Sequence, residues 1–462
     1  MNPHIFRAYG IRGIYNKDFD KNDSFLIGKA FGSYIQKISG NRIVVGHDNR
    51  FSSDEINAHF TQGLLSTGCN ITNVGYSLVP IIHYTVINQG FDGGVMITGS
   101  HNPKEFNGFK FEGKNAQTLF NQSIKEIEKL TETKKFITGN GEITYQDVFE
   151  GYMNAVISRI DLQQPLKIVI DAGNGTASGF APILFERLGV KVIKKHCFLH
   201  GDYPYHIPDP EEKIAMDDAA TEVLSQKADL GVGFDADGDR FGIIDEKGQV
   251  YENDKIMILL ARDILKRNRG AKVLFDIKSS FVLPKEIEKA GGVPIMMQTG
   301  NPYFRATMED DPQILLGGEV SGHTFIKDNY YGFDDGLFAA ARVMEILSRA
   351  PHPFSEFFKD VVKTAHTEEL RLPCPDNEKF EIEKAMKKEF RNNWETIEID
   401  GVRVKFSETA WALVRASNTS PYLSLRFEAE NDGKLREIIE IVEARLQKYP
   451  VVDTGCLKEL LS

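Results

Sequence analysis

The sequence predicts an α/β protein with three similar mixed α/β domains followed by a C-terminal α+β domain. Three observations support this fold class. The chain has 462 residues, and at about 150 residues per domain this length suits roughly three domains, within a range of two to four. One strand–turn–helix–strand plan occurs three times along the chain. The last hundred residues follow a different plan.

The repeated plan begins with a short strand rich in β-branched residues. The three strands are RIVVGH (42–47), LKIVIDA (166–172) and AKVLFDI (271–277). An amphipathic helix and another strand follow each of them, which is the pattern of parallel βαβ units. Each unit leads to a glycine-rich loop with polar residues: GVMITGSHNP, GVGFDADGDR and LLGGEVSGH.

The last hundred residues predict an α+β domain. We expect a charged helix around 376–391, strands near 395–406 and 422–429, and a closing helix over 432–447. The amphipathic helices at 53–66, 337–348 and 434–446 are interpreted as faces that pack on a core rather than as docking sites for a partner. The predicted domains are 1–147, 148–249, 250–363 and 364–462.

The composition argues against several classes of protein. Hydrophobic residues make up 41% of the chain and charged residues 26%, as in ordinary globular proteins. The longest apolar runs, such as IMILLA (256–261), are far shorter than the roughly 20 residues that span a bilayer. The N-terminus lacks the pattern of a secretory signal, and four separated cysteines favour reduced thiols. We therefore expect a cytoplasmic protein with no membrane partner.

The net charge of −11 argues against nucleic acid as a partner, because most of the surface would repel a polyanion. A few arginines focused in a cleft can still attract a phosphorylated small molecule. The expected partner is therefore a small molecule, bound by a monomer or a weak dimer.

The strongest motif is DLGVGFDADGDRFGIID, in which an apolar strand leads to Asp235, Asp237 and Asp239. In an extended segment, residues two apart point to the same side, so the three carboxylates are expected to converge. Such like charges need a cation, and oxygen ligands suit a hard ion such as Mg²⁺. An EF-hand calcium loop is one alternative, but Arg240 stands where that loop needs glycine. A solvated acidic turn is the other.

The second motif is GGVMITGSHNPKEFNGFKFEG, in which Ser100 follows a glycine after another apolar strand. Active-site residues of α/β enzymes commonly lie at this end of a strand. The G-x-S-x-G elbow of acyl hydrolases is not met, because position 102 is Asn. Taken alone, the loop could be an ordinary turn or cap. Lys110, ten residues further on, could supply a proton or a positive charge.

A phosphate on Ser100 would connect these two loops. A phosphoserine carries about −1.5 to −2 charges, and a carboxylate about 4 Å away would repel each unit of that charge by roughly 4 kcal/mol at an effective dielectric near 20. A divalent cation between the phosphoserine and the aspartates turns this repulsion into coordination. The sequence therefore predicts a metal-dependent phosphoryl-transfer enzyme whose carrier is Ser100.

A third loop, GGEVSGH (317–323), places Glu319, Ser321 and His323 within five residues. An acceptor, a hydroxyl and an imidazole together suit a polyol. Taken alone, the signal is weak, because Gly-Gly loops are often plain turns and His323 could be a structural histidine.

A fourth loop lies in VRASNTSPYLSLRFEA (414–429), where Arg415 precedes three short polar residues, Ser417, Asn418 and Thr419. An arginine fork combined with hydroxyls and turn amides can clamp a phosphate. An ordinary Asn-Thr-Ser turn is the alternative interpretation.

With these motifs in order, the sequence resembles the α-D-phosphohexomutases, and most closely their bacterial phosphomannomutase/phosphoglucomutase branch. The resemblance runs from FRAYGIRG through TGSHNP, DADGDR and GEVSGH to VRASNTSP. Four ordered motifs in one chain are far more specific than any single motif. The family implies four domains around a deep central cleft, the first three alike and the fourth a mobile lid.

The resemblance also implies roles for individual residues. Ser100 would be the phosphorylated serine, and the Mg²⁺ ligands would be Ser100, through its phosphate, together with Asp235, Asp237 and Asp239. The implied catalytic residues are Ser100, His101, Lys110 and Arg12. The implied substrate-binding residues are Arg7, Tyr9, Arg240, Lys278, Glu319, Ser321, His323, Arg415, Ser417, Asn418 and Thr419.

The family reaction interconverts hexose 1-phosphate and hexose 6-phosphate, with mannose or glucose as the sugar. The phosphoserine phosphorylates the free hydroxyl, the hexose 1,6-bisphosphate turns over, and its other phosphoryl group returns to the serine. Two alternatives stay open: a phosphoglucosamine mutase, and a non-catalytic sugar-phosphate sensor that kept the cleft.

The sequence departs from the family pattern at three positions. Gly10 replaces an acidic residue, and Ala236 replaces a glycine without changing a ligand. More seriously, Asn301 follows Thr299 and Gly300 where the family has a histidine expected to touch the substrate. This last change puts the sugar preference or the rate in question.

Overall fold

A computed structural model describes residues 1–417 and 421–461 of the chain. The described residues form four sheets, and the predicted class of three mixed α/β domains and one α+β domain is confirmed. None of the described helices combines the length and apolarity needed to cross a bilayer.

The first sheet has seven strands in the order β1-β2-β6-β5-β3-β4-β7. They are β1 Phe6–Arg7, β2 Gly10–Ile14, β3 Arg42–His47, β4 Asn70–Tyr76, β5 Gly93–Ile97, β6 Phe106–Glu112 and β7 Ile143–Tyr145. Its helices are α1 Lys21–Ile38, α2 Ser53–Leu65, α3 Val79–Gln89 and α4 Gln122–Thr133. Strands β3 and β5 are parallel neighbours, so the loops that follow them lie at one edge of the sheet.

The second sheet has five strands in the order β12-β11-β10-β8-β9. They are β8 Lys167–Asp171, β9 Lys191–Lys195, β10 Leu230–Phe234, β11 Phe241–Asp245 and β12 Val250–Tyr251. The helices of this region are α5 Phe149–Ile157, α6 Ala181–Arg187 and α7 Lys213–Gln226. Strands β8, β9 and β10 are parallel, whereas β11 returns antiparallel to β10.

The third sheet has four strands in the order β14-β13-β15-β16. They are β13 Lys272–Asp276, β14 Val293–Met297, β15 Ile314–Gly318 and β16 Thr324–Ile326. The helices are α8 Asn253–Arg267, α9 Val282–Lys289, α10 Asn301–Asp310 and α11 Gly336–Arg349. All three predicted βαβ units are present, since β3 and β4, β8 and β9, and β13 and β14 are parallel pairs.

The fourth sheet is antiparallel, with the order β17-β22-β21-β20-β19, and β18 also pairs with β22. The strands are β17 Ala365–His366, β18 Leu370–Pro373, β19 Glu395–Ile397, β20 Val402–Ser407, β21 Ala410–Ala416 and β22 Tyr422–Ala429. The helices are α12 Lys379–Arg391, α13 Asp432–Leu446 and α14 Gly455–Leu461. Short 3-10 helices at Pro3–Ile5, Lys114–Ala116, Thr176–Gly179 and Phe354–Phe358 complete the described elements.

The second and third sheets share one apolar cluster, which also includes residues at the start of helix α3 of the first domain. The first sheet has its own main core, and the fourth sheet and its helices have another. Among the described residues, the apolar cluster that joins the third and fourth sheets is a small one around Ile277, Trp411 and Leu413. The apolar cluster between the third and fourth domains is therefore far smaller than the one that the second and third domains share. The bounds of the four predicted domains stay predictions.

A buried carboxylate, Asp335, joins the second and third domains. It caps helix α11 by accepting the backbone N–H of Phe338 at 2.9 Å. Tyr152 of helix α5 and Tyr330 also donate their hydroxyls to it, at 2.9 and 2.7 Å. Burial raises the pKa of Asp335 to about 6. One side chain thus satisfies a helix end and two hydroxyls in the interior.

We expect Asp335→Ala to lower the free energy of unfolding by about 3 kcal/mol. It removes a helix cap worth about 1 kcal/mol, and leaves buried hydroxyls without an acceptor, at a cost of about 1–3 kcal/mol. Tyr152→Phe removes one donor and should cost only about 1 kcal/mol. Urea unfolding monitored by circular dichroism would measure both. Equal losses from the two substitutions would contradict this account of Asp335.

Candidate active site

The serine loop follows the buried strand β5. Ser100 is 3% exposed and has a φ of 49°, in the left-handed region that side chains with a Cβ rarely adopt. Its backbone N–H donates to Thr98 Oγ1 at 2.8 Å, which holds this conformation. Non-glycine residues kept in such strained conformations are concentrated at functional sites.

A buried arginine, Arg50, holds the same loop from behind. Its guanidinium donates to the carbonyl oxygens of Ser100, Asn102 and Pro103 at 2.6 to 2.7 Å. Asp48 pairs with this guanidinium at 3.0 Å and also accepts the N–H of Gly99 at 2.9 Å. A Cβ at Gly99 would lie 2.2 Å from the guanidinium, so only glycine fits beside it.

The aspartate loop corrects one prediction. Asp235, Asp237 and Asp239 do converge, with carboxylate oxygens within 4.8 Å of one another. They do so in a turn between strands β10 and β11 rather than in an extended segment. The turn passes through Gly238 at a φ of 72°, which glycine adopts without strain.

Three domains hold the backbone of this turn. Thr176 of the second domain donates its N–H to the carbonyl of Ala236 at 2.9 Å. Val79, at the start of helix α3, donates to the carbonyl of Asp237 at 3.0 Å. Gly336, at the start of helix α11, donates to the carbonyl of Gly238 at 3.1 Å. The position of the aspartates therefore depends on the packing of all three domains.

The serine and aspartate loops meet across the boundary between the first and second domains. Ser100 Oγ donates to Asp235 Oδ2 at 3.4 Å, and Thr98 Oγ1 donates to Asp237 Oδ2 at 3.1 Å. Ser100 Oγ also lies 3.2 Å from His101 Nδ1. The hydroxyl of Ser100 is therefore in direct contact with the carboxylate cluster.

Lys110 lies against the same cluster. Its Nζ is 2.8 Å from Asp237 Oδ2 and 2.6 Å from Asp239 Oδ2. Burial alone would lower the pKa of Lys110, but the two carboxylates outweigh it and raise that pKa. Burial would likewise raise the pKa of Asp239, but Lys110 and His323 lower it to about 2. Lys110 and Asp239 are therefore an ion pair at neutral pH.

The remaining charges leave room for a cation. Burial, Asp239 and Asp237 raise the pKa of Asp235 well above its ordinary value, because together they outweigh the nearby charges of Arg240 and Lys110. Among the described residues, no group donates a hydrogen bond to Asp237 Oδ1 or Asp239 Oδ1. Free carboxylate oxygens in a buried cluster are the ligands that a hard divalent ion prefers. The trio can therefore bind a metal ion.

Burial lowers the pKa of both His101 and Arg12, but only His101 loses its charge at neutral pH. Burial, Arg240 and Arg12 hold the pKa of His101 well below its ordinary value, so its imidazole is neutral. Burial lowers the pKa of Arg12 to about 10, although Asp237 opposes the shift, and Arg12 stays charged at neutral pH. Its Nη1 is buried and has no hydrogen-bond partner among the described residues.

Arg240 connects the aspartate loop to the third domain. Its N–H donates to Asp235 Oδ1 at 3.2 Å, and its Nε donates to His323 Nε2 at 3.0 Å. His323 Nδ1 lies 3.2 Å from Asp334, and Asn301 Nδ2 donates to the same carboxylate at 2.8 Å. Asn301, at which the sequence departs from the family pattern, is thus connected to His323 by their shared contact with Asp334.

Other predicted residues lie where the third and fourth domains meet. Arg415 donates its Nε to Asp400 Oδ2 at 2.6 Å, which also accepts the N–H of Thr299 at 3.0 Å. Lys278 donates to Glu369 at 3.1 Å. Both cations are buried, and each already has a carboxylate partner.

The remaining predicted residues are distributed over three domains. Glu319 Oε1 accepts the N–H of Gly300 at 2.7 Å, and Tyr9 donates its hydroxyl to the carbonyl of Thr299 at 3.2 Å. Arg7 is half-buried in strand β1, and Ser321 and Ser417 are buried. Asn418 and Thr419 lie outside the described residues.

Sequence reasoning missed Arg50, Asp48, Asp334, Asp400 and Glu369. A signal existed for Arg50 and Asp48, because they follow strand β3 and the parallel neighbour of that strand, β5, leads to Ser100. The other three carboxylates stand outside the recognised motifs and contact site residues distant in sequence. Such contacts leave no local pattern.

The fold and the site together define a class of protein, the intramolecular phosphotransferases that act as hexose-phosphate mutases. The chain belongs to the phosphoglucomutase/phosphomannomutase family. The family models for α/β/α domains I, II and III match residues 3–138, 150–248 and 252–365, and that for the C-terminal domain matches 369–445. The family resemblance stated from the motifs is confirmed.

Individual relatives are similar over nearly the whole chain. A phosphoglucomutase of Neisseria meningitidis serogroup A is 38% identical, with 96% of this chain and 97% of the relative covered. A phosphomannomutase/phosphoglucomutase of Pseudomonas syringae pv. tomato is also 38% identical, with coverage of 96% and 95%. The crystal structure of a phosphoglucomutase/phosphomannomutase family protein from Burkholderia thailandensis has a TM-score of 0.91 at 33% identity, with coverage of 98% and 99%.

We expect Arg50→Lys to loosen the serine loop. Lysine cannot reproduce the planar fork that reaches three carbonyls, and hydrogen bonds to a charged group are worth about 1.5–3 kcal/mol. Amide hydrogen exchange over residues 99–102 should therefore accelerate by at least roughly tenfold. The matched control is Arg42→Lys, because Arg42 is an exposed arginine at the start of strand β3, which leads to Arg50. Unchanged exchange in Arg50→Lys would contradict the role of Arg50.

Proposed function

We propose that this protein interconverts hexose 1-phosphates and hexose 6-phosphates of mannose, glucose or both, with Ser100 as the phosphoryl carrier. One observation carries the proposal: Ser100 Oγ lies 3.4 Å from Asp235 across a domain boundary, inside a buried carboxylate cluster. A hydroxyl that only caps a turn has no need of such a neighbour. A phosphate on Ser100 would require a cation between it and the carboxylates.

In the proposed reaction, phosphorylated Ser100 transfers its phosphoryl group to the free hydroxyl of the substrate. The serine oxygen–phosphorus bond breaks and the new sugar oxygen–phosphorus bond forms. The sugar hydroxyl loses a proton, and Ser100 Oγ takes one up. The hexose 1,6-bisphosphate then turns over, and its other phosphoryl group returns to Ser100. His101, 3.2 Å from Ser100 Oγ, and Lys110 are the groups placed to move protons. Arg12 supplies a nearby positive charge.

The proposed metal ligands are Asp235, Asp237, Asp239 and the phosphate on Ser100. When bound, Mg²⁺ would polarise the phosphoryl oxygens and offset negative charge in the transition state. Asp237 Oδ1 and Asp239 Oδ1, which have no hydrogen-bond donor within residues 1–417 and 421–461, support a hard, oxygen-liganded ion. Hexose 1,6-bisphosphate is the proposed activator, because it can phosphorylate an unmodified Ser100.

The proposed substrate contacts divide between the two ends of the sugar. Arg415, Ser417, Asn418 and Thr419 would hold the non-reacting phosphate, and Glu319, Ser321 and His323 would bind sugar hydroxyls. Four further residues would line the cleft: Arg7, Tyr9, Arg240 and Lys278. Because Arg415 and Lys278 are paired with Asp400 and Glu369, a phosphate would compete with these carboxylates, which weakens its binding and favours its release. We propose a cytoplasmic monomer or weak dimer with no nucleic-acid or membrane partner.

Two alternatives are distinguished by assay. A phosphoglucosamine mutase would turn over glucosamine 6-phosphate faster than mannose or glucose phosphates. A non-catalytic sensor would bind sugar phosphates without turning any of them over. Comparison of kcat/KM for the three hexose phosphates separates these outcomes.

We expect Ser100→Ala to abolish turnover while substrate still binds, because only the phosphoryl acceptor is lost. Incubation with glucose 1,6-bisphosphate should add one phosphate to the natural chain and none to the variant, as measured by intact mass. Ser123→Ala, which alters a serine far along the chain from the motif, is the control. Near-normal turnover in Ser100→Ala would refute the carrier role.

We expect Lys110→Met to bind Mn²⁺, as a probe of the Mg²⁺ site, at least tenfold more tightly, because a positive charge beside Asp237 and Asp239 is removed. Turnover should nevertheless fall by roughly 10²-fold or more, since a proton-transfer group is lost. Titration followed by electron paramagnetic resonance would measure the Mn²⁺ affinity. Weaker Mn²⁺ binding would show that Lys110 does not compete with the cation.

A further inference from the structure

A second set of ligand atoms lies in the second domain, outside the residues assigned to the mutase reaction. Asp171, His196 and His206 each place one nitrogen or oxygen atom within 4.8 Å of the others. Asp171 is 3% exposed, and the side chains of His206 and His196 are 8% and 13% exposed. The cluster is therefore mostly shielded from solvent.

The sheet brings two of these residues together. Asp171 is the last residue of strand β8, and His196 directly follows strand β9, which is the parallel neighbour of β8. His196 has a φ of 46°, and its carbonyl accepts the N–H of Asn174 at 2.8 Å. His206 comes from the long loop after β9. The two strand ends and this loop thus meet at the carboxyl edge of the second sheet.

The hydrogen bonds of His206 leave its Nε2 facing the carboxylate. Its Nδ1 lies 2.9 Å from the carbonyl oxygen of Ile207, which only accepts, so Nδ1 carries a hydrogen. Its Nε2 lies 3.2 Å from Asp171 Oδ1. Two lone pairs would repel each other at this distance, so a proton or a metal ion must lie between them.

His196 also has one ring nitrogen next to an acceptor outside the cluster. Its Nε2 lies 2.9 Å from Asp218 Oδ2, whose other oxygen pairs with Lys195 at 3.0 Å. Metal-binding histidines almost always give their second ring nitrogen to a carboxylate or a backbone carbonyl. Both histidines of this cluster do so.

Asp171 supplies an independent observation. Its Oδ1 accepts the N–H of Gly173 at 2.9 Å, but its buried Oδ2 has no hydrogen-bond partner among the described residues. A buried carboxylate oxygen without a donor costs about 1–3 kcal/mol or more. A bound cation would remove that cost.

We propose that Asp171, His196 and His206 form a second metal site that binds Zn²⁺ or a similar transition-metal ion. Two imidazoles and one carboxylate suit Zn²⁺ rather than Mg²⁺, which prefers oxygen ligands alone. The set supplies three protein ligands and leaves a fourth position for water. This site is separate from the aspartate trio and does not rest on the mutase reaction.

The position of the site indicates what the ion would do. The loop that follows Asp171 packs against the aspartate turn, and a Cβ at Gly175 would lie 2.7 Å from the Cα of Ala236. Asn49 of the first domain donates to the carbonyl of Asn174 in the same loop at 2.8 Å. An ion that fixes Asp171 to His196 therefore stiffens a loop on which both the aspartate turn and the first domain rest.

The test counts Zn²⁺ on the full-length protein by equilibrium dialysis and elemental analysis, with excess Mg²⁺ present. We expect His196→Gln and His206→Gln each to bind one equivalent less than the natural chain. Any Zn²⁺ that displaces Mg²⁺ from the aspartate trio adds equally to the zinc count of every variant. Asp218→Asn should lower the Zn²⁺ affinity of the second site roughly 10- to 100-fold, because the carboxylate that orients His196 is lost. The matched control is His200→Gln, because His200 lies in the loop between His196 and His206 but is not one of the proposed zinc ligands.

A measurement on the natural chain keeps the proposal testable if a variant fails to fold. Zn²⁺ is added to one equivalent more than the aspartate trio binds. The ring ¹⁵N resonances of two of the eleven histidines should then shift. Equal zinc counts in His196→Gln, His206→Gln and His200→Gln would overturn the proposal. Absence of ring shifts in the natural chain would overturn it as well.

Discussion

The constraint on which the rest of the structure depends is the gathering of like charges at a domain boundary. Asp235, Asp237 and Asp239 are fully buried. Within the part of the chain that the structure describes, Lys110 is the one cation paired with two of them. Ser100 Oγ touches this cluster from another domain. If Ser100 carries a phosphate, the arrangement requires a divalent cation, because burial makes uncompensated charge costly.

The surrounding architecture serves to hold these groups in place. Carbonyls of three successive residues in the aspartate turn each receive a donor from a different domain, the first, second or third. Arg50 fixes the serine loop through three carbonyls. The apolar cluster that the second and third domains share, with part of helix α3, supports these contacts. The fourth domain, which would carry the proposed phosphate clamp, has a separate core and a small apolar contact with the third domain.

Much of this organisation could be predicted from the sequence. The strand at Arg42–His47 was expected at its observed bounds, and the serine and aspartate loops were recognised because each follows an apolar strand with polar residues at its end. The convergence of the aspartates was predicted correctly but for the wrong reason. Gly238 bends the chain into a turn, so alternation along a strand does not apply there.

What the sequence could not reveal depends on contacts between distant segments. Asp334 binds both Asn301 and His323, and Asp400 binds both Arg415 and Thr299. Neither aspartate belongs to a motif with local spacing. The same holds for the cluster of Asp171, His196 and His206, which exists because two parallel strands end side by side. Pairing between strands must be known before such sites can be identified.

The most direct test of the central claim is the ³¹P resonance of the protein after phosphorylation by glucose 1,6-bisphosphate. If Ser100 and the aspartate trio share one cation, Mn²⁺ substituted for Mg²⁺ should broaden this resonance strongly, and Asp237→Asn should abolish the broadening at the same Mn²⁺ concentration. A phosphoserine resonance that stays sharp when the metal site is saturated with Mn²⁺ would contradict the account.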